Sequence, residues 1–173
     1  LLRLRFLILG VLTVLLLGLI GFWKIKTIKV HSKMSVGKRI DSLHGVYVYY
    51  NGSVANVSGR NTSPDGYNVG LKYQCVEFVK RYYYQYLKHK MPDTYGDAKD
   101  FFDVSIKDGE KNNHRNLLQF KNPSLSKPKV DDLLIFEGTK FNKYGHVAII
   151  SNVTENQIEI IQQNPGPSAS SRA

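Results

Sequence analysis

The chain contains a single cysteine, Cys75, within Tyr73-Gln74-Cys75-Val76-Glu77-Phe78-Val79-Lys80-Arg81. A thiol turns nucleophilic where its thiolate is favoured. The start of a helix favours it, because the first amide N–H groups lack intrahelical partners and carry partial positive charge. The spacing of Val76, Val79, Tyr82, Tyr83, Tyr86 and Leu87 predicts such a helix, with Lys80, Arg81, Lys88 and Lys90 off its apolar face. Cys75 shares a side with Val79, Tyr82 and Tyr86 and so opens the buried face. Gln74 is a poor cap and no Ser, Thr, Asp or Asn stands close by, which leaves the first amides available to a thiolate or an oxyanion. The bland reading of a lone cysteine is a small buried hydrophobe.

A nucleophilic thiol needs a base, and the base needs a group that holds its ring. Two β-branched runs supply candidates: Gly145-His146-Val147-Ala148-Ile149-Ile150-Ser151-Asn152-Val153, and Gln157 to Gln163, separated by Thr154, Glu155 and Asn156. A hairpin turning near Thr154 sets His146 opposite Gln162 with both side chains on one face, and Asn164 two residues on faces the same way. A lone strand histidine satisfied locally is the competing reading, and a one-residue slip would dissolve the pairing.

Four blocks in order now carry a family resemblance: Tyr73 to Phe78, Val130-Asp131-Asp132-Leu133-Leu134-Ile135-Phe136, Gly145 to Ile150, and Gln162-Gln163-Asn164. Together they resemble the CHAP domain, the cysteine- and histidine-dependent amidohydrolase/peptidase family. The particular likeness is to the amidase domain of glutathionylspermidine synthetase/amidase, from about Leu43 to Asn164, with Gly45-Val46-Tyr47-Val48-Tyr49 as a corresponding upstream strand. The resemblance implies an α+β, papain-like cysteine hydrolase domain, its N-terminal catalytic helix packed on an antiparallel sheet. It implies Cys75 as nucleophile, His146 as base, and Gln162 with Asn164 as the residues that orient the histidine. Many members have Glu where this chain has Gln162. A glutamine oxygen still accepts from an imidazole N–H and fixes its tautomer, but it adds no charge to favour an imidazolium. A slower enzyme, or a wall-binding module without turnover, is therefore among the readings.

Ahead of this domain, Phe6 to Trp23 carries no charge, between Arg3 and Arg5 on one side and Lys24, Lys26 and Lys29 on the other. Its 18 residues span roughly 27 Å as a helix, close to the thickness of a bilayer core. The first alanine is Ala55, so no Ala-x-Ala cleavage site follows. We expect a transmembrane anchor over 1–23 held in lipid by residues 6–23, a basic linker over 24–42, the catalytic domain over 43–164 and a Pro/Ser-rich tail over 165–173. Lysines and arginines after the span outnumber Arg3 and Arg5, which by the positive-inside rule keeps the domain cytoplasmic. The resemblance points the other way, since exported CHAP domains cut cell-wall peptides; the expected location is a single-pass membrane protein with its domain extracytoplasmic. The chain begins with Leu1, and the family has more sheet after the Asn164 block, so we expect a chain cut at both ends.

Composition narrows the partners. The formal charge of +10 overstates the domain: five of the 24 basic residues lie at or before Lys29, leaving 19 against 14 acidic ones. That balance suits an anionic wall polymer without demanding one. No basic run is interleaved with aromatics in a nucleic-acid-binding pattern, so no nucleic-acid partner is expected. His31, His44, His89 and His114 are scattered, and neither a metal nor another cofactor is expected. Residues 51–70 and 106–129 read as loops, Asp97 to Asp103 as a short helix, and Asp131 and Asp132 as strand-entry residues. The expected activity is cleavage of amide bonds through an acyl-enzyme, in peptidoglycan peptides or, as the alternative, in a glutathionylspermidine-type small amide.

Overall fold

The computed structural model describes residues 10–19, 34–166 and 170–173. The chain divides into two units, Leu1–Lys33 and Met34–Ala173. In the first, residues 10–19 form an exposed helix, α1. The rest of the expected 6–23 span lies outside the described residues, as does the linker from 24 to 33. Among the described residues no helix is long and apolar enough to cross a membrane.

The second unit is α+β, with small antiparallel sheets around one helix. Strands β1 (Arg39–Leu43) and β2 (Val46–Tyr49) form a hairpin through His44 and Gly45, both at positive φ. Val46 and Val48 are buried while Tyr47 faces out, the period-2 pattern of a half-buried strand. The expected basic linker therefore ends earlier than residue 42, since Arg39–Leu43 is paired backbone. Strands β3 (Arg60–Thr62) and β4 (Asn68–Leu71) form a second hairpin inside what the sequence presents as loop 51–70. The polar turn residues there close the hairpin: Ser63 accepts from Gly66 and donates to Tyr67 through the backbone.

Helix α2 (Cys75–Gln85) lies directly on β4. A Cβ at Gly70 would stand 3.1 Å from Glu77 Cα, and its φ of 135° is one that L side chains rarely adopt, so glycine suits this close approach. The helix stops at Gln85, short of the periodicity that runs to Leu87. After a 3₁₀ turn at Ala98–Phe101 and the two-residue strands β5 (Lys111–Asn112) and β6 (Leu117–Leu118), a three-stranded sheet follows: β7 (Leu133–Phe136), β8 (His146–Val153) and β9 (Ile158–Ile161). Val147, Ile149 and Ile161 pack with Phe78, Val79 and Tyr82 of α2 and with Val46 and Val48. Ala148, Ile150 and Ile160 form a smaller cluster with Leu134, Val153 and Ile158. The expected tail is not a loose end throughout. Ile160 and Ala173 exchange backbone hydrogen bonds, and Arg172 reaches Asp41 at 3.0 Å and Glu159 at 2.9 Å, joining β9 to β1.

One departure from the helical pattern organises the domain. Lys80 and Arg81, off the apolar face in sequence, are buried at 1% and 6% exposure, as is Glu77 at 2%. The two hairpins cover that side of α2, so its charges find partners inside. Lys80 donates to the carbonyls of Asn68 and Thr94, and burial draws its pKa down to about 8. Glu77 Oε1 accepts from Arg81 Nε at 2.6 Å and Asn61 Nδ2 at 2.7 Å, and Oε2 accepts from Gln163 Nε2 at 2.9 Å. Gln163, fully buried, also donates to Gln74 O at 2.9 Å and accepts from Tyr49 N–H at 2.8 Å.

Removing one charge from this network strands the other. Arg81→Met is expected to lower unfolding stability by about 3–5 kcal/mol, whereas Glu77→Leu with Arg81→Met costs less than the sum of the singles. Urea unfolding of the four proteins in that cycle checks it; additive losses would contradict the network.

Candidate active site

Cys75 opens α2 with its thiol only partly exposed and packed against the main core cluster. The backbone enters the helix from Tyr73, held at a φ of 67° with its ring 5.4 Å from that of Tyr49. Such a conformation is uncommon for a bulky residue and is stabilised here by surrounding packing. Gln74 at the N-cap is extended and makes no side-chain cap. Its amide works elsewhere, donating to Asn56 O at 2.8 Å and accepting from Asn164 Nδ2 at 2.7 Å. The amides of Val76 and Cys75 itself are therefore left to act on the sulfur, and the Val147 amide of β8 acts on it too.

His146 is the first residue of β8, paired with Phe136 of β7. A Cβ at the preceding Gly145 would lie 2.5 Å from Phe136 O, and its φ of 72° is in the left-handed region, so glycine is what lets the chain turn into the strand here. The ring nitrogen Nε2 lies 3.0 Å from Gln162 Oε1. Gln162 Nε2 donates to Ser170 O at 3.1 Å, which turns the amide oxygen toward the imidazole. Nε2 of His146 is thus the N–H donor and Nδ1 keeps its lone pair, the tautomer a base needs.

The hairpin that brings Gln162 here is not in the expected register. Thr154 N–H donates to Gln157 O across the turn, and a bulge falls between Ile150 and Asn152, so that Ile149 pairs with Ile161. One further step would set Ala148 opposite Gln162, with His146 two residues along on the same face. The contact is a diagonal one, within reach of long side chains. Asn164 is not brought to the imidazole at all. Its φ of 55° turns it aside, and its amide binds Gln74 Oε1 and Val54 O. Three consecutive residues thus serve three tasks: Gln162 holds the histidine, Gln163 the buried carboxylate of α2, and Asn164 the residue before the cysteine. Strand alternation alone hides Gln163, which it assigns to the opposite face from Gln162.

Val147, next to His146, directs its amide at Cys75, and no hydrogen bond joins the thiol and the imidazole among the described residues. The electrostatics also differ from the expected thiolate. Burial is the largest influence on Cys75 and pushes its thiol up; the three amides oppose this, and the Asp97 carboxylate adds to the rise. Burial likewise draws the His146 imidazole down, partly offset by its bond to Gln162. Both effects favour the uncharged form of each group. No group of His, Cys, Asp or Glu among the described residues is arranged to hold a metal ion.

This arrangement can be set beside known proteins. The CHAP domain family model matches residues 65–164. Trypanothione synthetase of Crithidia fasciculata is 30% identical over 107 residues, covering 62% of this chain and 16% of that protein. The bifunctional glutathionylspermidine synthetase/amidase of Escherichia coli (strain K12) is 34% identical over 98 residues, 56% of this chain and 16% of its own length, and the protein of that name from Shigella flexneri matches equally. The chain thus corresponds to a small part of each relative. The matched segment runs from the β3–β4 hairpin through Cys75 and His146 to Asn164, and with it the chain belongs to the CHAP domain family, a family of cysteine amidohydrolases.

Proposed function

We propose that this domain hydrolyses amide bonds in peptidoglycan stem or cross-bridge peptides from a membrane tether formed by residues 6–23, on the extracytoplasmic side. The observation that carries the catalytic part is a thiol addressed by the Cys75, Val76 and Val147 amides, with the Gln162-held His146 next to Val147 in the chain. His146 Nδ1 takes the thiol proton as Sγ attacks the carbonyl carbon. Burial pushes the thiol up and draws the imidazole down, which favours proton transfer in step with attack. The Cys75 backbone N–H receives the oxyanion, and His146 returns the proton to the leaving amine. Water, deprotonated by the same ring, then releases the acyl group and restores the thiol. The uncharged run from Phe6 to Trp23 and the basic surplus of the domain support a site at an anionic envelope.

A second reading, an amidase acting on a small glutathionylspermidine-type amide, is favoured by the names of the bifunctional relatives. The two readings separate on product analysis. Incubation with purified peptidoglycan is expected to release new amine-bearing fragments, detected by mass spectrometry, and Cys75→Ser to reduce that release by about 10³-fold or more. Cleavage of glutathionylspermidine alone would favour the second reading, and no product from either would favour a binding module that has lost turnover.

The charge state of the pair gives a further expectation. With the thiol raised and the imidazole lowered, alkylation of Cys75 by iodoacetamide should climb with pH through the alkaline range, without a plateau near neutrality. Gln162→Glu puts a carboxylate on Nε2–H, raises the imidazole and favours the imidazolium–thiolate pair. Alkylation near pH 6.5 should then rise about 10-fold, at some loss of stability from the Ser170 contact. An unchanged rate profile in this variant would mean that His146 does not set the thiol's ionisation.

A further inference from the structure

Residues 170–173 run antiparallel to β9 along the edge that β8 leaves open. Ile160 N–H donates to Ala173 O at 2.8 Å, Ala173 N–H donates to Ile160 O at 3.2 Å, Ile161 bridges to Arg172, and Gln162 N–H donates to Ser171 O at 2.9 Å. In that register the carbonyl of Ser170 meets the end of the Gln162 side chain and accepts from its Nε2 at 3.1 Å. A side-chain amide has one oxygen and one NH2 group, so an acceptor fixed on the NH2 side turns the oxygen to the ring, and Gln162 Oε1 lies 3.0 Å from His146 Nε2. Without that acceptor either end of the amide can face the imidazole. A ring that faces the NH2 group must accept at Nε2 and carry its proton on Nδ1, the atom that has to take the thiol proton.

So short a ladder has little register of its own, and the side chain of Arg172 supplies it. Its Nε donates to Asp41 Oδ2 at 3.0 Å and its Nη2 to Asp41 Oδ1 at 3.3 Å, a fork on a carboxylate of β1. Nη2 also donates to Ser42 O at 3.0 Å, and Nη1 to Glu159 Oε1 of β9 at 2.9 Å. The Ser171 hydroxyl adds a bond to Asp41 Oδ2 at 2.8 Å. A slip of one residue would turn the guanidinium away from all of these acceptors and carry the Ser170 carbonyl off Gln162. We propose that Arg172 is a positioning residue for amide cleavage: clamped between Asp41 and Glu159, it keeps the Ser170 carbonyl on Gln162 and so keeps the proton of His146 on Nε2. Arg172 acts through the strand and not on the reacting atoms, and its role rests on the reading of His146 as base.

The test uses the full chain in neutral detergent micelles and two measurements. The first reads the tautomer of His146 by proton–nitrogen correlation NMR of isotope-labelled histidine, the signal being assigned by its loss in His146→Gln. With the ring neutral, the wild type should carry its proton on Nε2, and Arg172→Ala should add a population with the proton on Nδ1. The second is a double-mutant cycle on the rate of fragment release from purified peptidoglycan, or of glutathionylspermidine cleavage where that is the amide cut. Arg172→Ala should slow the reaction about 10-fold when Gln162 is present and about 2-fold or less in Gln162→Ala, with Arg172→Lys, which keeps the charge without the fork, in between. A merely structural brace would cost the same factor in both backgrounds. Asp41→Asn loosens the clamp from its other side and should move tautomer and rate in the same direction, so the test does not depend on the folding of one variant. An unchanged tautomer in the Arg172 and Asp41 variants, or equal rate factors in the two backgrounds, would overturn the proposal. A tautomer that follows Arg172 in a protein that cleaves neither amide would sustain the clamp and remove the hydrolytic reading. Hydrolysis with an unmoved tautomer would do the reverse.

Discussion

The buried Glu77 carboxylate, with Arg81 and Gln163 around it, is the constraint on which the rest of the domain depends. Its oxygens accept from the helix that starts with Cys75, from β3 through Asn61, and from the residue after Gln162. Gln163 adds the N-cap carbonyl of that helix and the backbone of β2. A carboxylate and a guanidinium removed from water tolerate almost no displacement, because each lost partner exposes an uncompensated charge to a low-dielectric interior. Glu77 is two residues from Cys75, and Gln163 is one from Gln162. The same geometry that satisfies the buried charges therefore sets the thiol-bearing helix against the strand that holds the histidine.

The site itself is balanced toward neutral groups. A helix N-terminus lowers a thiol's pKa only as far as its amides outweigh desolvation, and here Cys75 is packed against the core cluster. His146 is likewise desolvated by burial, and its partner Gln162 is uncharged. A carboxylate at Gln162 would pull the proton equilibrium toward the ion pair, and the amide does not. What Gln162 supplies is the tautomer, with Nε2 as donor and Nδ1 left to accept, and no charge.

Much of this was legible in the residues. The period of Val76, Val79, Tyr82 and Tyr83 gave the helix, the β-branched runs gave β8 and β9, and the order of four short blocks led to the family that residues 65–164 match. The hairpin of β3 and β4 escaped because its strands are short and rich in Asn and Gly, so neither propensity nor alternation marks them. The strand β1 escaped for the opposite reason: its charged residues read as linker until β2 pairs with it. The contacts of Asn164 with Gln74 and Val54 were not legible because one residue at positive φ breaks the alternation on which facing arguments rely.

The sequence by itself determined the nucleophile candidate, its place at the start of a helix, the histidine on a strand, and an apolar run at the beginning of the chain, because these depend on residue type and short-range periodicity. Tertiary structure alone decided which of Gln162, Gln163 and Asn164 meets the imidazole, that Glu77, Lys80 and Arg81 lie inside, and that burial pushes the thiol up and draws the imidazole down. Those outcomes follow from a bulge that shifts register, from two hairpins that cover the helix, and from desolvation, and none of these is a local property of the chain.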